Sequence, residues 1–324
     1  MNSAQSLEID QQANRDKLLL IDGHALIYRA FHAFPELTDP QGRLVNAVYG
    51  FTRILLAAVR DFSPKYLAVC FDSKEKTKRA EKYQEYKANR PEMPDDLKPQ
   101  IELIQEMVGI LNIPKFALPG EEADDLIGSI GKKLEQQTKK PLAITVTGDK
   151  DLLQLVTDDF YVFIPSRSKN QGDTEYDPDT VKRFLGLRPD QIVDYKALMG
   201  DPSDNIPGVK GIGKKTAVIL LQTFDNLHAV LAAAKQAQTA EKYSAPLTQS
   251  VVTKLLTDEK NAHLSQDLAS IDSQVSFNFD LDACRVVAYD KQKAIEFLKS
   301  LGFFSLIRLL PQDEFEQGVQ SALF

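Results

Sequence analysis

Three short apolar runs, each ending in an aspartate, constrain the fold of this 324-residue chain more than any other feature. LLLID (18–22), YLAVCFD (66–72) and LAITVTGD (142–149) are too continuously apolar for strands with one wet face, so they read as strands buried on both faces. FALPG (116–120) and YVFIP (161–165) are weaker strand candidates. Helix-period segments lie between them, NAVYGFTRILLAAVRDF (46–62) and DDLKPQIELIQEMVGIL (95–111). Strand, helix and strand repeated in this way predict an α/β fold with a doubly wound, mostly parallel sheet. Ligands of such sheets gather at the carboxyl ends of strands, so Asp22, Asp72 and Asp149 are expected along one edge.

The polar stretch 166–180 predicts a long loop or hairpin excursion, and beyond it the pattern turns helical. Residues 231–250 read as a helix and a loose connection; 291–310 read as a helix, a stop at Gly302 and a second apolar element that packs back onto the body. The expected organisation is a flexible tail (1–16), an α/β region (17–180), a helical region (181–310) and a C-terminal tail (311–324). Two cysteines, Cys70 and Cys284, supply neither a bridge framework nor a Cys/His metal spacing, which fits a reducing cytoplasm. No apolar stretch reaches the roughly 18 residues of a membrane span, so no membrane partner is expected.

Six further carboxylates join the three at the strand ends. Glu122, Asp124 and Asp125 stand in PGEEADDLIGSI, Asp151 follows Asp149 in TGDKDLLQL, and Asp201 and Asp204 lie three apart in MGDPSDNIPG. One acid at a strand end or in a first helical turn is ordinarily a cap. Nine on five segments exceed what capping requires, and together they would repel in a partly dry cleft. An all-oxygen set without histidine points to hard divalent cations, Mg²⁺ above all where phosphate is the substrate, and away from zinc.

The net charge of −7 by itself opposes nucleic-acid binding, but charge distribution matters more than the sum. Lys74 to Arg90 holds seven basic and three acidic residues. Read as a helix, that window aligns Arg79, Tyr83, Tyr86 with Lys87, and Arg90 as an aromatic and cationic stripe suited to stacked bases and phosphates. A solvated charged helix is the plainer alternative. The second phosphate-binding candidate is GVKGIGKKTA (208–217), whose spacing is that of a helix-hairpin-helix within 208–222. Gly208, Gly211 and Gly213 permit a tight turn and close backbone approach, the next helix adds its N-terminal dipole, and Lys210, Lys214 and Lys215 add charge. A dinucleotide-type glycine loop is the rival, but Asn-Ile-Pro precedes this one rather than a strand.

The order DG, FD, EADD, GDKD, GDPSDN, GVKGIGKKTA resembles the flap-endonuclease-like 5′ nucleases, and among them the N-terminal 5′-3′ exonuclease domain of bacterial DNA polymerase I, from about Lys17 to Leu310. The resemblance implies a structure-specific 5′-3′ exonuclease or flap endonuclease that works by two metals in primer removal and repair. Asp22, Asp72, Glu122, Asp124 and Asp125 would surround one Mg²⁺, and Asp149, Asp151, Asp201 and Asp204 the second, with Asp149 or Asp125 between; Mn²⁺ would substitute. It further implies a helical arch over 74–95 whose Lys87 and Arg90 reach the scissile phosphate, and a K⁺ on the backbone carbonyls of Val209 and Ile212. The implied partners are branched, flapped or nicked duplex DNA with a 5′ single strand, and a polymerase domain in cis or in trans; the chain is expected to be a monomer. Two positions depart from the family pattern: Glu121, where relatives often carry an aromatic, and Lys78, where a Phe often precedes the arch arginine. A non-catalytic DNA-binding paralogue and a ribonuclease of the same broad fold are the rival readings.

Overall fold

The computed structural model describes residues 15–166 and 172–312; the expectations for both tails and for the middle of the 166–180 excursion lie largely outside these residues. In chain order the elements are β1 (Lys17–Asp22), α1 (Gly23–Ala33), α2 (Asn46–Phe62), β2 (Tyr66–Cys70), α3 (Lys78–Lys82), α4 (Lys98–Ile110), β3 (Lys115–Phe116), α5 (Ala123–Leu134) and β4 (Leu142–Val146). A 3₁₀ turn (Asp151–Leu155), β5 (Phe160–Ile164), β6 (Thr174–Tyr176) and α6 (Pro178–Leu185) follow. The remainder is helical: α7 (Ile192–Met199), α8 (Lys214–Phe224), α9 (Leu227–Thr239), α10 (Gln249–Thr257), α11 (Glu259–Ala269), α12 (Lys291–Ser300) and α13 (Phe304–Ile307). No single helix among the described residues is long and apolar enough to cross a membrane.

The sheet runs β3-β2-β1-β4-β5-β6, parallel except for β6. The chain winds outward from β1 through β2 to β3, then returns to the other side of β1 for β4 and β5. The carboxyl ends of β1 and β4 therefore flank the topological switch point, where such sheets open a crevice. Strand alternation explains why the apolar runs are continuous. Leu19 and Ile21 join one core with α1, α2, α4 and the C-terminal helices, while Leu18 and Leu20 join another with α5.

Residues 271–310 return to the α/β body. Ile271, Val275, Leu281 and Cys284 pack under α5, and Leu298, Leu301, Phe303 and Leu306 fill the opposite core. Gly302 adopts φ +77° between α12 and α13, as its stop position requires. Helices α7 to α11 enclose a separate apolar cluster that includes Leu198, Leu220 and Leu255. Phe303 is 1% exposed and meets Tyr49 of α2 edge-on at 5.2 Å. Phe303→Ala is therefore expected to lower unfolding free energy by about 3–5 kcal/mol in urea titration. A loss below about 1 kcal/mol would mean that α13 is an appendage rather than part of the core.

Candidate functional site

The nine acids converge on the carboxyl edge of the sheet. Asp22 ends β1, is 6% exposed, and caps α1 by accepting the Ala25 N–H at 3.2 Å. Its other oxygen accepts the Thr147 hydroxyl at 2.6 Å, which joins the ends of β1 and β4 across the switch point. Asp72 follows β2 and accepts the Ala123 N–H at 2.8 Å, tying β2 to the start of α5. Glu122, Asp124 and Asp125 occupy that helix start, with ligand oxygens within 4.8 Å of one another. Asp149 accepts the Asp151 N–H at 2.9 Å in the turn after β4. Asp201 and Asp204 sit on a loop closed by paired Asp201–Ile206 backbone hydrogen bonds.

Burial and mutual repulsion act on these groups, and cations from other segments oppose them. Burial, with Asp72 and Asp149 adding, pushes Asp22 up to about 7. Burial, with the charge of Asp149, pushes Asp151 up to about 7 against the opposing Lys196. Burial and Asp125 hold Asp124 well above the carboxylate range. Burial would also raise Glu122, but Lys87 and Arg79 outweigh it and hold Glu122 below its ordinary value. Asp201 is likewise lowered, because Lys196 and Ser203 outweigh burial.

The cations come mostly from 78–90. Arg79 donates to Glu122 at 3.0 Å, to Asp125 at 2.5 and 2.8 Å, and to the Ser270 carbonyl at 2.7 Å. Lys87 donates to Glu122 at 2.8 Å, and Arg90 to Asp204. Lys196, on α7, pairs with Asp151 and, at 2.7 Å, with Asp201. The two departures from the family pattern face each other: Lys78 forms an ion pair with Glu121.

The predicted helical stripe across 79–90 does not form. Only α3 is helical, Tyr83 is extended, and Lys87 is left-handed at φ +54°. Tertiary contacts override the local pattern. Tyr86 is 6% exposed, packs beside Ile206 and Leu268, and donates its hydroxyl to Glu122 at 3.2 Å. The Lys87 N–H donates to the Asp204 carbonyl at 3.0 Å. Arg79 and Tyr86 thus point into the acid cluster, while Tyr83 donates to Glu85 at 2.7 Å.

The helix-hairpin-helix is α7, the turn 200–213 and α8. Gly208, at φ +64°, is required for packing, since a Cβ there would lie 2.3 Å from the Gly200 nitrogen; its N–H donates to Ser265. The Lys210 N–H is taken by Asp258 at 2.8 Å, and the Val209 carbonyl accepts the Ile212 N–H. Gly213 starts α8 with no side-chain cap, so the first-turn N–H groups open outward beside Gly211, Lys214 and Lys215, all exposed.

Sequence reasoning missed three polar supports. His24 accepts the Asp72 N–H on Nδ1 at 2.9 Å; its place two residues after Asp22 was a usable signal. Thr147 lies 125 residues from Asp22 and carries no local pattern, whereas Lys196 stands only five residues before Asp201, a usable signal.

The raised carboxyls set the pH dependence of stability. Asp22 has a higher pKa folded than unfolded, so between about 4 and 7 the native state binds more protons, and stability falls as pH rises. In chelator, denaturant midpoints should decline over that window, by roughly 4 kcal/mol at most from Asp22. Asp22→Asn should flatten the decline; an unchanged slope would show that Asp22 is ionised throughout.

The chain resembles proteins already known. Residues 17–186 match the family described as 5′-3′ exonuclease, N-terminal resolvase-like domain, and residues 187–292 the 5′-3′ exonuclease, C-terminal SAM fold. DNA polymerase I of Chloroflexus aurantiacus is 41% identical over 302 residues, covering 91% of this chain and 31% of that protein. DNA polymerase I of Bacillus subtilis is 37% identical over 311 residues, covering 95% and 34%. The chain thus spans about a third of the length of these relatives. In fold it is similar to the phage T5 5′-exonuclease with zinc bound (TM-score 0.61, 19% identity, covering 94% and 98% of the two chains). It is equally similar to the catalytic core of Rad2 in complex with DNA substrate (TM-score 0.61, 18% identity, 92% and 94%). With both halves matched in order on one continuous chain, this protein belongs to the 5′-3′ exonuclease family.

Proposed function

We propose that the chain is a divalent-metal-dependent 5′ nuclease that hydrolyses phosphodiesters in flapped or nicked DNA. The observation that carries this reading is the meeting of nine carboxylates from five segments at one sheet edge, with the arch cations attached to them. The donor set fits a hard cation: it is all oxygen, three ligands lie within 4.8 Å of one another, and burial drives Asp22, Asp124 and Asp151 toward protonation. Asp22, Asp72, Glu122, Asp124 and Asp125 would hold one ion, and Asp149, Asp151, Asp201 and Asp204 the other. Bound there, two Mg²⁺ would activate a water and stabilise the leaving 3′ oxygen, giving a 5′-phosphate product.

The chain's own residues supply the rest. Lys87 and Arg90 carry positive charge to the edge where the phosphate reacts, and that charge counts most as negative charge builds. The uncapped start of α8, with Lys214 and Lys215, grips a duplex backbone without reading bases. A K⁺ on the carbonyls of Val209 and Ile212 would stiffen that turn. A cleft beside Asp149, lined by Tyr28, Arg29 and His32, offers an aromatic and cationic surface to an unpaired nucleotide. The relatives' identity as DNA polymerase I supports a polymerase partner in cis or in trans. The non-catalytic reading is disfavoured because all nine acids occupy the edge, and the ribonuclease reading because the helical arm 187–292 is present.

A 5′-labelled flap duplex should be cut with Mg²⁺ or Mn²⁺ and left intact in chelator. Asp149→Asn should lower the single-turnover rate roughly 100-fold or more without weakening DNA binding. Parallel loss of binding would place Asp149 in a structural role. Lys214→Ala with Lys215→Ala should weaken all duplexes alike and flatten log affinity against log salt by about one unit per lost contact. An unchanged salt slope would remove the hairpin from the DNA interface.

A further inference from the structure

Each of the two acid groups is already occupied by one buried cation of the chain itself. The side chain of Arg79 is 12% exposed, and its guanidinium lies against Glu122 and Asp125 and 3.8 Å from Asp124, the three carboxylates close enough to share one ion. The side chain of Lys196 is 10% exposed, and its ammonium bridges Asp151 and Asp201. Arg79 joins α3 to α5 and Lys196 joins α7 to the turn after β4, while its contact with Asp201 is local, five residues along the chain. The chemistry suits each place. A planar fork of five N–H donors spans three carboxylates, whereas a compact ammonium serves two.

We propose that Arg79 and Lys196 are tethered stand-ins for divalent ions, each ordering the ligands of one centre and giving way when its ion binds. The inference rests on the reading of the acids as metal ligands. An ion on the same oxygens stands within a few ångströms of a fixed positive charge, so the two compete for one set of lone pairs. Displacement has different consequences at the two centres. Arg79 also holds the Ser270 carbonyl, and Asp125 accepts the Asp272 N–H at 2.7 Å; the first ion therefore unpins α3 from the 270–272 segment and frees a guanidinium for phosphate. Lys196 lies on the helix that leads into the hairpin, where Gly200 packs on Gly208, so the second ion acts on the arm that meets the duplex. In this scheme metal loading hands two cations from carboxylates to DNA.

An ordinary buried salt bridge would stabilise the protein whether or not metal is present, and that difference is measurable. The full chain, Arg79→Met and Lys196→Met would be melted in chelator and in saturating Mn²⁺, and Mn²⁺ binding would be followed by calorimetry without DNA. Both variants should melt lower than wild type in chelator and rejoin it in Mn²⁺. Each should bind one of two Mn²⁺ ions roughly tenfold more tightly or better, as expected for removal of a nearby like charge. Lys196→Arg and Arg79→Lys, which keep the charge but not the donor geometry, should fall between wild type and the Met variants in both measurements. In wild type, amide exchange across 79–83 should accelerate on Mn²⁺ addition, a test independent of whether the Met variants fold. Equal melting losses with and without Mn²⁺, unchanged or weaker Mn²⁺ affinity, or unaltered exchange at 79–83 would each overturn the exchange role. Mn²⁺ uptake by wild type with unaffected variants would sink only this inference. No Mn²⁺ uptake at all would sink the metal-ligand reading together with it.

Discussion

Repulsion among nine carboxylates on one sheet edge is the constraint that the surrounding structure answers. Near pairs of like charge at intermediate dielectric cost several kcal/mol, and the chain meets that cost in three ways. Backbone donors are aimed at the acids, as at Ala25, Ala123 and Asp272. Protons are favoured where burial and like charge outweigh the paired cations, which pushes Asp22 and Asp151 up to about 7 and Asp124 well above the carboxylate range. Cations are brought in from elsewhere, and this third device shapes the tertiary structure. Arg79, Lys87 and Arg90 draw 78–90 down onto α5 and the 201–206 loop, while Lys196 fixes α7 to the turn after β4. A buried ion pair contributes little net stability when intact but is costly to break, so these contacts act as locators more than as stabilisers.

Capping and ligand roles are compatible at these acids. Asp22 caps α1 through one oxygen and faces the β1/β4 crevice through the other. The coincidence is topological: in a doubly wound sheet a strand end is also a helix start, so the helix dipole and the ligand crevice meet at one residue. The hairpin shows the same double use. Gly208 is demanded by contact with Gly200, whereas Gly211 and Gly213 lie exposed beside an uncapped helix start.

Much of this was legible in the sequence because the signals were local. The strand runs at 18–22, 66–72 and 142–149 and the helix 46–62 announce themselves by hydrophobic period alone, and α2 has the expected bounds. Asp placement at strand ends made the acid edge predictable from topology. The arch segment was misread as a continuous helix because its conformation is set from outside: Tyr86 is drawn to Glu122, and Lys87 is turned left-handed onto the Asp204 carbonyl. Neither partner lies within thirty residues in sequence. Lys196 was overlooked because a lysine in a helical stretch reads as solvated until Asp151, remote in sequence, is brought against it beside the nearby Asp201. FALPG yielded only the two-residue β3, since Pro119 and Gly120 cut short a strand already at the sheet edge.

The Lys78–Glu121 pair extends the same logic beyond the acid cluster. Here the lysine side chain is 64% exposed and the glutamate 8%, so the ammonium lies open to salt screening while its carboxylate partner is buried. Among the described residues most side-chain ties from 78–90 to the catalytic edge are ionic; the neutral ones are the buried Tyr86 ring, with Ala80 and Tyr83 packed beside it, and the Asn89 amide, which donates to the Pro202 carbonyl at 2.6 Å. A segment held largely by charge responds when charges are added nearby, and a divalent ion or a phosphate would add them at that edge. The charged pair at 78 and 121 adds to that ionic hold without altering a single carboxylate of the site.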